Sequence, residues 1–195
     1  MTTTPTNLPK WIQDLTSFAA DENSSYHSLF KEEKFPAKRI LLNEGDVSKR
    51  LYFIESGCIR MFFTDTDKDI TLQFFFEKSY VASMESFLQN VPSKFGLECL
   101  EDVSCYTLSK ENYLRLRESS PAFAACFEDF IRRRMFHYMN MLLDYIRLSP
   151  ERRYQALLKQ YPQILQRIAQ YHIASYLGIT AVSYSRIRNR RTTKD

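Results

Sequence analysis

Two Ser-Pro pairs bracket one long helical segment, and they dictate how the rest of the chain must be arranged. Ser120-Pro121 and Ser149-Pro150 each place a hydroxyl where it can accept a first-turn N–H, beside a proline whose missing N–H costs nothing there. The second pair also ends what the first begins, because the residue before a proline avoids helical backbone. The spacing predicts a helix from Pro121 to about Leu148. Its apolar residues are too many for one face. One stripe holds Phe123, Phe127, Phe130, Arg134, His137, Met141, Tyr145 and Leu148, and a second holds Ile131, Met135, Tyr138, Leu142 and Ile146. One stripe can pack on its own domain, while the second needs a partner, and a second copy of the same helix would supply it. The expected dimer seam is Phe127, Ile131, Arg134, Met135, Tyr138, Met141, Leu142 and Tyr145. Burial of both stripes within one subunit is the other arrangement that satisfies the pattern. The chain is thereby divided into residues 1–120, 121–148 and 149–195.

Ahead of this helix the pattern changes twice. Leu8, Trp11, Ile12, Leu15 and Phe18 recur at helical spacing, predicting a helix over about 8–30 after a polar, frayed tail. From Phe35 to Leu108 short apolar runs follow one another: 38–42, 51–55, 58–64, 70–76, 97–100 and 104–108. Turn chemistry separates them, at Glu44-Gly45-Asp46, Ser56-Gly57, 65–69 and Val91-Pro92-Ser93. Many short strands at this spacing imply a sandwich or barrel, with a short capped helix opening at Ser109. The fold class is therefore α+β, a β domain followed by the long helix and a small all-α module.

The last fifty residues carry the most specific local signal. Ile173, Ala174 and Leu177 form the inner face of one helix, and Gly178 stands where the chain must leave it through a left-handed conformation. Ile179 plugs the turn, Thr180 caps a second helix, and Tyr184 and Ile187 give that helix its inward stripe. Ala181, Val182, Ser183, Ser185, Arg186, Arg188, Asn189 and Arg190 are left outside. Charge agrees with this helix-turn-helix. Residues 146–195 hold ten Lys/Arg against two acids, a balance of +8, while residues 1–145 hold 17 against 21, or −4; together they make the chain's +4. A basic module on an acidic body is the footprint of a part that meets a polyanion, and an Arg-, Ser- and Asn-bearing helix suits the major groove of double-stranded DNA.

Other chemistries find little to work with. Cys58, Cys99, Cys105 and Cys126 are scattered, without C-x-x-C spacing or a neighbouring His, and read as small hydrophobes; redox sensing is the lesser alternative. His27, His137 and His172 all lie outside the strand region, so no metal site is expected, and no nucleophile–base grouping or phosphate-cradling Gly loop points to an enzyme. The polar N-terminus is no signal peptide and no apolar run is long enough to span a bilayer. No membrane association is expected, and the cytoplasm is the expected location.

At this point the chain resembles the Crp/Fnr family of bacterial transcription regulators, especially its shorter Bacteroidetes members, over roughly 35–191. The motifs that carry the resemblance are Leu42-Asn-Glu-Gly-Asp, Leu51-Tyr-Phe-Ile-Glu-Ser-Gly-Cys-Ile-Arg, Ile173-Ala-Ser-Tyr-Leu-Gly-Ile-Thr and Ser185-Arg-Ile. The resemblance implies an N-terminal double-stranded β-roll of the cyclic-nucleotide-binding type, a long dimerisation helix, and a reader of a palindromic operator. It also implies roles. Ser175, Thr180, Ser183, Arg188, Arg190 and Arg191 would position phosphates. Arg186 would read a base, with Ala181, Val182 and Ser185 shaping the contact. Val182 stands where the family often has Glu, so the usual half-site does not carry over. In the nucleotide-binding members a cassette Gly-Glu pair and an Arg hold the ribose and cyclic phosphate. Here Met84 takes the Gly position, Glu85 matches, and Ser93 falls at the Arg position with Lys94 beside it. Glu85, Ser86, Ser93 and Lys94 are the candidate effector contacts, no cofactor is predicted, and cyclic AMP in its usual mode is not expected. The expected partners are double-stranded DNA, a second copy of the chain, and RNA polymerase. A regulatory subunit acting through protein contacts is the alternative function.

Overall fold

The computed structural model describes residues 2–5, 7–16, 25–66 and 68–192. The chain forms two compact units, Met1–Met61 with Phe74–Arg133, and Phe62–Gln73 with Arg134–Asp195. In this division a hairpin tip and the second half of the long helix group with the C-terminal helices.

Among the described residues the strands are β1 (Thr2–Thr3), β2 (Phe30–Phe35), β3 (Ile40–Leu42), β4 (Arg50–Ser56), β5 (Ile59–Asp65), β6 (Lys68–Phe75), β7 (Tyr80–Val81), β8 (Gly96–Cys99) and β9 (Val103–Ser109). They make two sheets, ordered β1-β2-β9-β4-β7 and β3-β8-β5-β6, a jelly-roll-like β-roll. The helices are α1 (Lys10–Thr16), α2 (Met84–Gln89), α3 (Lys110–Ser119), α4 (Pro121–Arg147), α5 (Pro150–Gln160), α6 (Ile164–Arg167), α7 (Gln170–Tyr176) and α8 (Ala181–Thr192). The fold is α+β.

Strand β4 shows why the roll holds. Leu51–Ile54 are all buried, because the strand is covered on both faces. Leu51 and Phe53 join Leu8, Ile12, Phe87, Tyr113, Leu116 and Phe123 in one apolar cluster with the helices. Tyr52 turns the other way, and its hydroxyl donates to the Leu41 carbonyl at 3.4 Å. Burial pushes the Tyr52 phenol up to about 12 and the thiols of Cys99 and Cys105 up to about 12 as well, so both thiols stay protonated at neutral pH.

The N-terminal expectations need correction. Among the described residues of the expected 8–30 helix, Lys10–Thr16 are α-helical and a 3-10 turn covers Ser25–Leu29, while Phe18 lies outside the described residues. Thr2 and Thr3 do not belong to a frayed tail, since they pair antiparallel with Glu33 and Glu32 of β2. Strand β2, Phe-Lys-Glu-Glu-Lys-Phe, hides in the sequence behind its charges. Glu33 is buried, accepting from the Thr107 hydroxyl at 2.7 Å and from Arg50 at 3.1 Å, so its charge is satisfied inside rather than solvated. The Phe30 ring meets Phe53 edge-on at 5.5 Å.

Gly57 closes the β4–β5 turn with φ +93°, and a Cβ there would lie 2.4 Å from the Asp102 carbonyl oxygen. Its N–H donates to Glu77 at 3.0 Å. Gly57→Ala is expected to cost about 2–4 kcal/mol through left-handed strain and backbone overlap. A lowered denaturation midpoint, followed by fluorescence of Trp11 (the single tryptophan, bonded to Glu55), is the check.

Candidate nucleic-acid interface

The Ser hydroxyls cap as the sequence requires: Ser109 accepts from Asn112 N at 3.1 Å, Ser120 from Phe123 N at 3.2 Å, and Ser149 from Arg152 N at 3.4 Å. Helices α5 to α8 then build a small core. Tyr154, Leu157, Ile164, Ile168, Ile173 and Leu177 are buried in it. The Tyr154 and Tyr184 rings meet edge to face at 5.7 Å, and burial raises the Tyr184 phenol to about 12.

Helix α7 ends in a Schellman motif. Ile179 N donates to Ala174 O at 3.0 Å and Gly178 N to Ser175 O at 2.9 Å, with Gly178 at φ +65°. Helix α8 starts two residues later, where the Thr180 hydroxyl accepts from Ser183 N at 3.2 Å and donates to the Ser183 hydroxyl at 3.1 Å. With Tyr184 fully buried, α8 turns Val182, Arg186, Asn189 and Arg190 outward, at i, i+4, i+7 and i+8. Val182 is 61% exposed. Ser183, Ser185 and Arg188 flank this stripe half-buried, and Ala181 is exposed at the first turn. Arg190 lies 4.0 Å from Glu151 at the start of α5, an exposed pair of little energetic weight. The Arg191 side chain lies outside the described residues.

One expected phosphate contact is otherwise occupied. The Ser175 hydroxyl accepts from Thr71 N at 2.9 Å and donates to Asp69 O at 3.1 Å, so it ties α7 to the β5–β6 hairpin within the second unit. Tertiary pairing over about a hundred residues of separation leaves no local trace, and sequence reasoning had no means to find it.

The second half of α4 also differs in detail from the expected seam. Met135, Phe136, Met139, Leu142, Leu143 and Ile146 stand out, each 42–71% exposed. Phe136, Met139 and Leu143 escaped the two-stripe reading, although their three-to-four spacing was a third apolar row. Phe127, expected in the seam, packs inside the first unit, 4.6 Å from Tyr113 and 5.4 Å from Phe130. Arg134 donates to Gln73 at 3.2 Å and to the Tyr138 hydroxyl, with its guanidinium 4.6 Å over the Tyr138 ring. Burial, helped by Arg134, lowers the pKa of His137 beside Gln73 and favours neutral imidazole. Met141 is half-buried and, with Tyr145, lines an open groove of roughly 1420 Å³ within the second unit. Tyr145 packs against the turn before α8: a Cβ at Gly178 would come within 2.6 Å of its hydroxyl.

In the roll, the cassette residues are consumed by one another. Ser86 is buried, donating to Val91 O at 2.5 Å and accepting from Ser48 N at 2.8 Å. Ser93 is also buried, donating to Phe95 O at 2.7 Å. Both are structural rather than available contacts. Glu85 and Lys94 pair at 2.8 Å on the surface. Inside, Arg60 and Glu98, which sequence reading passed over, form a pair at 2.5–2.7 Å with side chains only 4% and 14% exposed. Among the described residues there is no cluster of potential metal ligands, and no helix is long and apolar enough to cross a membrane.

Residues 32–120 match the family model of the cyclic nucleotide-binding domain. No curated protein matches the chain. Solved structures do, over nearly its whole length. A protein described as a transcriptional regulator of the Crp/Fnr family from Eubacterium rectale superposes with a TM-score of 0.73 at 18% identity, covering 93% of this chain and 88% of its own. FixK2 from Bradyrhizobium japonicum gives 0.72 at 16% identity, covering 84% of each chain. CLP, a c-di-GMP-responsive global regulator from Xanthomonas campestris, gives 0.68 at 15%, covering 85% and 87%.

Proposed function

From a chain that carries a cyclic nucleotide-binding domain and has the fold of Crp/Fnr transcription regulators, we propose a homodimeric, sequence-specific DNA-binding regulator. The observation that carries this reading is α8 itself. It is capped at Thr180, held at its root by the Gly178 turn, and presents Val182, Arg186, Asn189 and Arg190 outward from a segment with a net charge of +8. A helix so displayed has the length and donors to enter a major groove. The exposed apolar face of α4 supports pairing with a second copy, which would set two readers on a palindromic operator. The chain acts without catalysis, in the cytoplasm where its DNA is, and RNA polymerase is the further partner.

The sensor half does not take cyclic AMP in the usual manner. Ser93, at the position of the phosphate-binding Arg, is turned back onto Phe95, and Glu85 is already neutralised by Lys94. Ser93 cannot supply the bidentate cation that a cyclic phosphate requires.

Genomic footprinting followed by titration of the recovered site tests the reading. We expect a two-fold symmetric motif, with log K falling against log salt at a slope of about −4 to −7 for five to eight neutralised phosphates. Binding that ignores salt, or a motif without symmetry, would instead favour a regulatory subunit acting through protein contacts.

A further inference from the structure

The C-terminal end of α4 and the C-terminal end of α7 meet at one side chain. Both ends leave carbonyls without intrahelical donors, and both carry the negative pole of a helix dipole. Arg153, in the first turns of α5, answers both. Its Nη1 donates to Tyr145 O at 2.9 Å and to Leu148 O at 3.1 Å, while Nη2 donates to Leu177 O at 2.9 Å. The guanidinium lies 4.4 Å over the Tyr145 ring, and that ring in turn sits against Gly178. The turn that launches α8 is therefore clamped to α4 by a planar fork on one side and an aromatic ring on the other. Leu148 and Ser149 alone separate α4 from α5, which leaves little slack in the connection.

We infer that Arg153 is the positioning residue that sets the pose of the reading helix on α4, and hence the half-site spacing that a pair of readers accepts. The inference rests on the DNA-binding, dimeric reading above. A palindrome is read by two helices whose separation follows from how each reader is mounted on its dimer helix. A lysine at 153 could reach one helix end but not bridge two, because its donors radiate from one ammonium rather than lying in a fork. The guanidinium's Nε is buried without a hydrogen-bond partner among the described residues, a burden that geometry rather than stability explains.

The test uses the full-length protein with Arg153→Met and Arg153→Lys, the isolated half-site, and palindromes whose central spacer is native or altered by one base pair. Wild type should prefer the native spacer. In both variants half-site affinity should stay within threefold of wild type, while preference for the native spacer falls at least tenfold. Hydrogen exchange should speed up at the amides of Leu177–Ile179 while α8 remains protected around Tyr184. Unchanged spacer preference would overturn the proposal. So would an equal loss on half-site and palindrome with α8 unprotected, which marks Arg153 as a fold residue only. If wild type bound no duplex while the exchange pattern still changed as expected, the clamp would stand and the DNA reading would fall.

Discussion

Leu142→Glu combined with Ile146→Glu is expected to give a monomer whose affinity for a palindromic site falls by about 10²–10⁴. These side chains are 60% and 71% exposed in one subunit, and with Met135 and Met139 they mark the centre of the outward face of α4. A two-fold contact buries each of them twice. At about 1.5–3 kcal/mol for full burial of an aliphatic side chain, reduced by the part already covered, the four contribute about 4–7 kcal/mol from each subunit before the costs of association. Glutamates would remove that gain and set like charges face to face across the axis. Sedimentation velocity reads the mass and half-site binding serves as the control, since the reader itself is untouched. A double variant that still sediments as a dimer would move the interface to another face. Met141 and Tyr145 would be poor choices for this experiment, because they face the groove and the Gly178 turn, and Phe127 poorer still, because it packs against the first unit's own core.

Arg186→Ala is expected to cost about 1–3 kcal/mol on the cognate site and to relax discrimination at one base pair per half-site. Arg186 stands one turn after Val182 on the outward stripe of α8, with an exposed side chain. Its fork matches the N7 and O6 edge of guanine, whereas Val182 can offer only apolar contact, to a thymine methyl. Competition against every single-base variant of the operator distinguishes reading from simple attraction. Loss confined to one position identifies a reader. A uniform loss across all variants with a shallower salt slope would assign Arg186 to phosphate instead.

The α7–turn–α8 unit was legible in the residues because its rules are local. A Schellman exit through Gly178, a Thr180 cap and a Tyr184 core position each depend on neighbours within a few residues. The same holds for the Ser-Pro caps that delimit α4 and α5, and for the short runs that became β4, β5, β6, β8 and β9. Strand β2 was not legible, since Glu33 looks solvated until Thr107 and Arg50 are brought to it from distant strands.

What the amino-acid sequence determined alone is thus the long helix with its caps, most of the strands, the division of charge, and the residues α8 turns outward. Helical periodicity and capping chemistry act over one or two turns, so composition at that range suffices. Only the tertiary structure decided which polar groups are already spent. Ser175 serves the hairpin at Asp69 and Thr71, Ser86 and Ser93 serve the roll, and Arg153 bridges two helix ends. A hydroxyl or guanidinium has the same bonding capacity wherever it stands in the chain. Which partner takes that capacity depends on what the fold places within 3 Å of it, and that is a property of packing rather than of sequence order.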